Sequence, residues 1–208
     1  MTDKLIGLIE KALQNGLPGA SAQGLMAPSL RPPERMDFDT SDPRSSGVMI
    51  LLFPTEEGIS TIFIHRTHWG PHGGQISLPG GKKEPADADL VATAYRESEE
   101  EVGIIPGRVR TIGLLTPLYV PYSNYHIQPV VGYSGTQPSF VPDKKEVETI
   151  LIVPLGKLFH RDNRKTMILK RLDMEIEAPY YNADGYRVWG ATAMIMSEFE
   201  AVLTSCIS

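Results

Sequence analysis

Apolar residues Leu5, Ile6, Ile9 and Leu13 recur every three or four positions, and Asn15-Gly16 follows as a stop signal. This pattern predicts an amphipathic N-terminal helix that packs on the body. Residues 17–47 carry Pro18, Pro28, Pro32, Pro33 and Pro43 among small side chains, the composition of an extended, mostly irregular connector. Apolar, β-branched runs at 48–53 and 61–65 flank Glu56-Glu57-Gly58, which predicts two strands joined by a turn. Further strands are predicted at 111–115, 127–133, 149–153, 167–172 and 186–189, with a closing helix at 191–203. Strands that surround one internal helix at 90–104 and end on another predict an α/β (α+β) fold of stacked layers. We divide the chain into a helix and connector at 1–46, packed on the body, and one main domain at 47–208.

Composition narrows the partners. The chain has 208 residues, of which 41% are hydrophobic and 22% charged, as in ordinary globular domains. A formal net charge of -5 argues against a nucleic-acid partner, which calls for a basic face, but leaves room for local cations that grip a small anion. The single cysteine, Cys206, rules out an internal disulfide framework and points to a reducing, cytoplasmic setting. No apolar run approaches the roughly 18 residues of a membrane span, and Met1-Thr2-Asp3-Lys4 does not read as a secretory leader, so no membrane partner is expected. A homodimer is the base-rate expectation for assembly.

The chemistry concentrates between Leu78 and Ile104. Glu97, Glu100 and Glu101 sit at i, i+3 and i+4, within a sector of roughly 100° on a helix. Val91, Ala94, Tyr95, Ser98 and Val102 occupy a different sector and are expected to face the core, which would aim the acids. Crowded like charges cost a few tenths of a kcal/mol per pair, a penalty that a divalent cation removes. Carboxylate oxygens suit hard cations, so Mg²⁺ or Mn²⁺ is expected. Alone, an acidic helical face is more often merely solvated. Here Pro79-Gly80-Gly81 precedes it, a turn whose backbone can approach a ligand closely because glycine lacks Cβ.

The run Arg96-Glu97-Ser98-Glu99-Glu100-Glu101-Val102-Gly103-Ile104 resembles the second half of the Nudix family's signature box, Arg-Glu-aliphatic-any-Glu-Glu-any-Gly-aliphatic, with Ser98 in the aliphatic place. In the first half one extra residue separates Gly81 from Arg96, and Asp87 or Asp89 stands in for the box's earlier glutamate. The resemblance implies a Nudix α/β/α sandwich with a mixed central β-sheet. It also implies metal-dependent hydrolysis of a nucleoside diphosphate linked to another moiety. The Gly80 carbonyl, Glu97, Glu100 and Glu101 are the implied metal ligands, and Arg96 orients the acids. A general base is open among Glu97, Glu100 and Glu146.

The segment His72-Gly73-Gly74-Gln75-Ile76-Ser77-Leu78-Pro79-Gly80-Gly81 is similar to the upstream signature of the family's coenzyme A pyrophosphatase branch, Arg-any-any-any-Gly-any-any-any-Phe-Pro-Gly-Gly. Gly74 matches, whereas Gly70 and Leu78 stand where the arginine and phenylalanine are expected. Leu17-Pro18-Gly19-Ala20, Pro129-Val130-Val131-Gly132, Glu146-Val147 with Pro154-Leu155, and Trp189-Gly190-Ala191-Thr192-Ala193 also look like that branch. The implied reaction converts coenzyme A or acyl-CoA to 3′,5′-ADP and (acyl-)phosphopantetheine, with Arg66, Gly74, Lys82 and Lys83 as candidate substrate contacts. Alternatives are hydrolysis of ADP-ribose, a nucleotide sugar or a dinucleotide, and a non-catalytic nucleotide-sensing module. His65, His68 and His72 lack the further ligands of a tetrahedral metal site. Tyr119, Tyr122 and Tyr125 read either as a loop over the ligand or as an ordinary packed loop.

Overall fold

The computed structural model describes residues 2–29, 42–69, 73–171 and 174–207. Its spine is β1 (Arg44–Thr55), in which every residue from Met49 to Phe53 is fully buried. A strand covered on both faces reads as a continuous apolar run rather than an alternating one, which is why 48–53 stood out in the sequence. On one side β1 runs parallel to β7 (Tyr125–Tyr133). On the other it pairs antiparallel with β4 (Gly80–Lys82) near its start and with β2 (Gly58–Arg66) at its end. β5 (Arg110–Leu114) and β6 (Leu118–Val120) extend the sheet beyond β7, and β3 (Ile76–Ser77) and β8 (Val147–Pro154) extend it beyond β2. The sheet is therefore mixed.

The period-two geometry of β1 divides its side chains between two layers. Met49, Leu51 and Phe53 join the core under α3 (Leu90–Val102). Ile50 and Leu52 join the opposite core, roofed by α1 (Thr2–Gln14) and α5 (Gly190–Ile207). This is the α/β/α arrangement that the sequence implied. A second, antiparallel sheet of β9 (Arg164–Arg171), β10 (Met174–Ala183) and β11 (Tyr186–Trp189) follows the short helix α4 (Leu155–Leu158), and its β11 packs against β3. Among the described residues no helix is long and apolar enough to cross a membrane.

Three expectations change. The connector holds a helix, α2 (Ala20–Gly24), and ends early because β1 begins at Arg44; Pro32 and Pro33 lie outside the described residues. β10 was not predicted, because Pro179 interrupts its apolar pattern. Proline is tolerated there because β11 pairs only from Tyr180 onward, leaving Pro179 opposite Thr166 of β9 alone. Leu172, at the end of the predicted strand 167–172, also lies outside the described residues.

Glu198 of α5 ties this layer together. It is fully buried, and Oε1 accepts the Gly19 amide at 3.1 Å and the Thr116 amide at 3.2 Å, while Oε2 accepts Gln23 Nε2 at 2.9 Å. The branch-like segment Leu17–Ala20 is thus anchored to α5 through a carboxylate. Glu198→Ala strands two backbone amides and is expected to cost about 3 kcal/mol, read as a lower urea midpoint at unchanged m. A change too small to resolve would contradict this role.

Candidate active site

Local chemistry fixes α3 at both ends. The Asp89 carboxylate accepts the Ala92 amide at 2.8 Å as the N-cap, and Gly103 closes the helix with φ +71°, in the left-handed region glycine adopts without strain. Ser98 is fully buried in the place of an aliphatic residue, and its hydroxyl donates to the Ala94 carbonyl at 2.6 Å, so no polar atom there lacks a partner.

The three box glutamates do not share one environment. Glu101 is 3% exposed, Glu97 is half-buried, and the Glu100 side chain is 59% exposed. The helical wheel accounts for this: Glu101 lies only about 20° from Ala94 around the axis, at the margin of the core sector. Its Oε2 accepts the Gly80 amide at 2.8 Å and its Oε1 accepts Arg66 Nη1 at 3.1 Å. Burial pushes the Glu101 pKa up to about 7, against the opposing pull of the Gly80 amide and the Arg66 guanidinium. Burial also raises Glu97, which Arg96 partly counters.

The double glycine is a requirement of close approach. Gly80 has φ +147°, and a Cβ there would stand 2.4 Å from the Gly47 carbonyl oxygen. A Cβ on Gly81 would fall 2.4 Å from the Glu97 carboxylate. Gly80 thus lets the turn close onto β1, and Gly81 leaves room for the acid.

Arg96 organises the polar side. It grips Asp87 through Nε to Oδ1 at 3.0 Å and Nη2 to Oδ2 at 3.1 Å, and donates to the Lys82 carbonyl at 3.0 Å. It also reaches Glu97 at 2.9 Å and Glu100 at 3.0 Å. Asp87 is buried, accepts further bonds from the Glu84 amide and the Thr93 hydroxyl, and is held well below the usual carboxylate range, chiefly by Arg96. The two aspartates thus have different partners: Asp87 engages the arginine, and Asp89 caps the helix. The capping signal was available, since Asp89 directly precedes the first helical residue.

Other candidates scatter around this centre. Arg66 turns its guanidinium onto Glu101, with Nη2 3.7 Å from Glu146. Glu146 precedes β8 and is 55% exposed. Lys82 is exposed at the end of β4, and Lys83 follows it, half-buried. Gly74 has φ +73° and donates to the Arg66 carbonyl at 3.2 Å. Leu78 is buried in the core beneath α5, whereas Gly70 and His72 lie outside the described residues. His65 and His68 stand 3.3 and 4.0 Å from Glu148. Tyr119 and Tyr125 belong to the paired strands β6 and β7, and the exposed Tyr122 lies in the turn between them.

Among the described residues no three acidic, histidine or cysteine side chains are gathered into a metal shell, because Arg96, Arg66 and the Gly80 amide engage the glutamates. The donors are nevertheless all oxygen, and the raised Glu97 and Glu101 mark buried negative charge that the two arginines leave undercompensated. Such a set fits a hard divalent cation.

The site is thus an acidic helix laid over a double-glycine turn beside a mixed sheet. Residues 43–169 match the NUDIX domain family, and the chain belongs to it. The mitochondrial coenzyme A diphosphatase NUDT8 of Homo sapiens is 32% identical over 157 residues, 74% of this chain. The chain spans 66%, just under two thirds, of that protein's length. The uncharacterized Nudix hydrolase NudL of Yersinia pestis is 30% identical over 155 residues, 74% of this chain and 76% of that one. Among solved structures, a MutT/nudix family protein from Enterococcus faecalis superposes with a TM-score of 0.47 at 15% identity, covering 84% of this chain and 66% of that one.

Asp87→Asn weakens the grip on Arg96 and is expected to lower turnover by about 10- to 100-fold, as loss of an orienting partner typically does, with the circular dichroism spectrum unchanged. Asp89→Ala is expected to cost about 1 kcal/mol of stability and to leave turnover intact. The opposite ranking of the two activities would contradict the assignment.

Proposed function

We propose that the chain hydrolyses coenzyme A or acyl-CoA to 3′,5′-ADP and (acyl-)phosphopantetheine, with Mg²⁺ or Mn²⁺. The observation that carries this reading is the similarity over 74% of the chain to a relative named as a coenzyme A diphosphatase. The branch-like segments before and after the box support it.

In this reading Glu97, Glu100, Glu101 and the Gly80 carbonyl hold the cation. When bound, it neutralises charge on phosphate oxygens and lowers the pKa of a bound water. Arg66 fixes Glu101, and its remaining N–H groups, with Lys82 and Lys83 beside β4, are the candidates to meet the diphosphate. Gly74 lets the backbone turn close beside the substrate. Arg96, held by Asp87, fixes the directions of Glu97 and Glu100. The general base is one of Glu97, Glu100 and Glu146. We place the protein in a reducing, cytoplasmic compartment on the strength of its lone cysteine. We treat 47–208 as the hydrolase domain, with 1–46 buttressing it through α1 and α2.

A second reading keeps the chemistry and changes the substrate to ADP-ribose, another nucleotide sugar or a dinucleotide. Its motive is Gly70, which stands where the branch signature has an arginine. Purified protein given coenzyme A and Mg²⁺ is expected to release 3′,5′-ADP, and Glu101→Gln to abolish the release while folding is kept. Cleavage of ADP-ribose with coenzyme A left intact would select the second reading.

A further inference from the structure

A pocket of about 470 Å³ opens where the β9–β11 sheet leans over the edge of β2 and β3. That volume falls in the range of small-molecule sites. Two aromatic side chains of β11, Tyr186 and Trp189, line it, both partly buried, and the His65 ring meets Tyr186 edge-on at 5.5 Å. Arg187, between them in sequence, is exposed at the rim. Its guanidinium lies 5.6 Å above the Tyr180 ring and 3.8 Å from the Met167 sulfur, and no carboxylate among the described residues pairs with it. The neighbouring Asp184 is taken by Lys157. A cation fixed by stacking and by one weak bond from Nη1 to the Met167 sulfur, with no carboxylate partner among the described residues, beside aromatic faces is the combination that binds a phosphorylated nucleoside.

The pocket adjoins the carboxylate site through the β2–β3 pair. His65 on its floor is followed by Arg66, which holds Glu101, and Gly74 on its rim donates to the Arg66 carbonyl. β3, against which β11 packs, leads within three residues to Gly80. A ligand whose diphosphate sits at the glutamates can therefore turn past Gly74 and carry one end into this pocket.

We infer that this pocket is the subsite for the nucleoside end of the substrate, where Tyr186 and Trp189 take the base and Arg187 takes a 3′-phosphate. The 3′-phosphate rests on the coenzyme A reading proposed above. Arg187 thereby supplies, from the distant β11, a cation of the kind that the branch signature places at the position of Gly70.

Titration calorimetry on the full chain tests this without turnover, using 3′,5′-ADP, 5′-AMP and 4′-phosphopantetheine as probes. The wild type is expected to bind 3′,5′-ADP about tenfold more tightly than 5′-AMP, as one charge-assisted contact allows. Arg187→Gln is expected to erase that ratio while leaving 5′-AMP affinity unchanged, and Arg187→Lys to restore part of it. Tyr186→Leu should weaken both nucleotides alike. Equal wild-type affinities, or a ratio that survives Arg187→Gln, would overturn the inference. So would a loss on Tyr186→Leu confined to 4′-phosphopantetheine, which would assign the pocket to the other arm. Failure of the coenzyme A reading shows separately, as a wild type that keeps the nucleotide ratio yet leaves coenzyme A uncut.

Discussion

Glu101 is withdrawn from water at the seam between α3 and the Pro79-Gly80-Gly81 turn, with one oxygen on the Gly80 amide and the other on Arg66. Removing a carboxylate from water costs several kcal/mol even after relaxation, and two charge-assisted bonds offset only part of this. The remainder appears as the raised pKa. A protein selected for stability alone would place an apolar residue at this margin of the core, next to Ala94 and Val102. The charge is explained if the missing compensation is a divalent cation, and the surrounding geometry serves that end. Gly80 closes the turn onto β1, Gly81 makes room for Glu97, and the mixed sheet sets the height at which α3 meets the turn.

Arg96 and Arg66 divide the work of holding five mutually repelling acids. Arg96 binds Asp87, Glu97 and Glu100, and Arg66 reaches Glu101 and Glu146. Asp87 is the fixed member of the set, because hydrogen bonds from Arg96, Thr93 and the Glu84 amide all favour its charged form. The arginine is thereby anchored on its buried side and keeps the directions of the two more exposed glutamates. The extra residue in the loop before the helix is absorbed without loss of this anchor.

The layers were legible in the sequence because burial leaves a periodic trace: β1 as an unbroken apolar run, α3 as a helix with spaced acids, α1 as an amphipathic helix and α5 as the closing helix. The glutamate spacing marked the candidate site, but spacing alone placed the three acids on one face, and their depths differ because Glu101 borders Ala94 on the wheel. Contacts between distant segments leave no such trace. Arg66 with Glu101, Glu198 with Gly19 and Thr116, and Arg187 beside the β2–β3 edge join elements far apart in the chain. α2 is too short to show a period, and Pro179 masks β10 because its tolerance depends on where β11 stops.

Mn²⁺ titration of the metal-free protein at pH 6 and pH 8.5, in buffers of different ionisation enthalpy, tests the role of Glu101 most directly. Its folded pKa is raised above the unfolded value, to about 7, so below that pH the folded, metal-free protein holds a proton that a cation must displace. For the same reason its contribution to metal-free stability is present at low pH and is lost as pH rises through about 7. About one proton is expected to leave per Mn²⁺ at pH 6 and almost none at pH 8.5, with weaker binding at the lower pH and the difference largely gone in Glu101→Gln. Proton release that is the same at both pH values, or unaltered in Glu101→Gln, would contradict a metal role for this carboxylate.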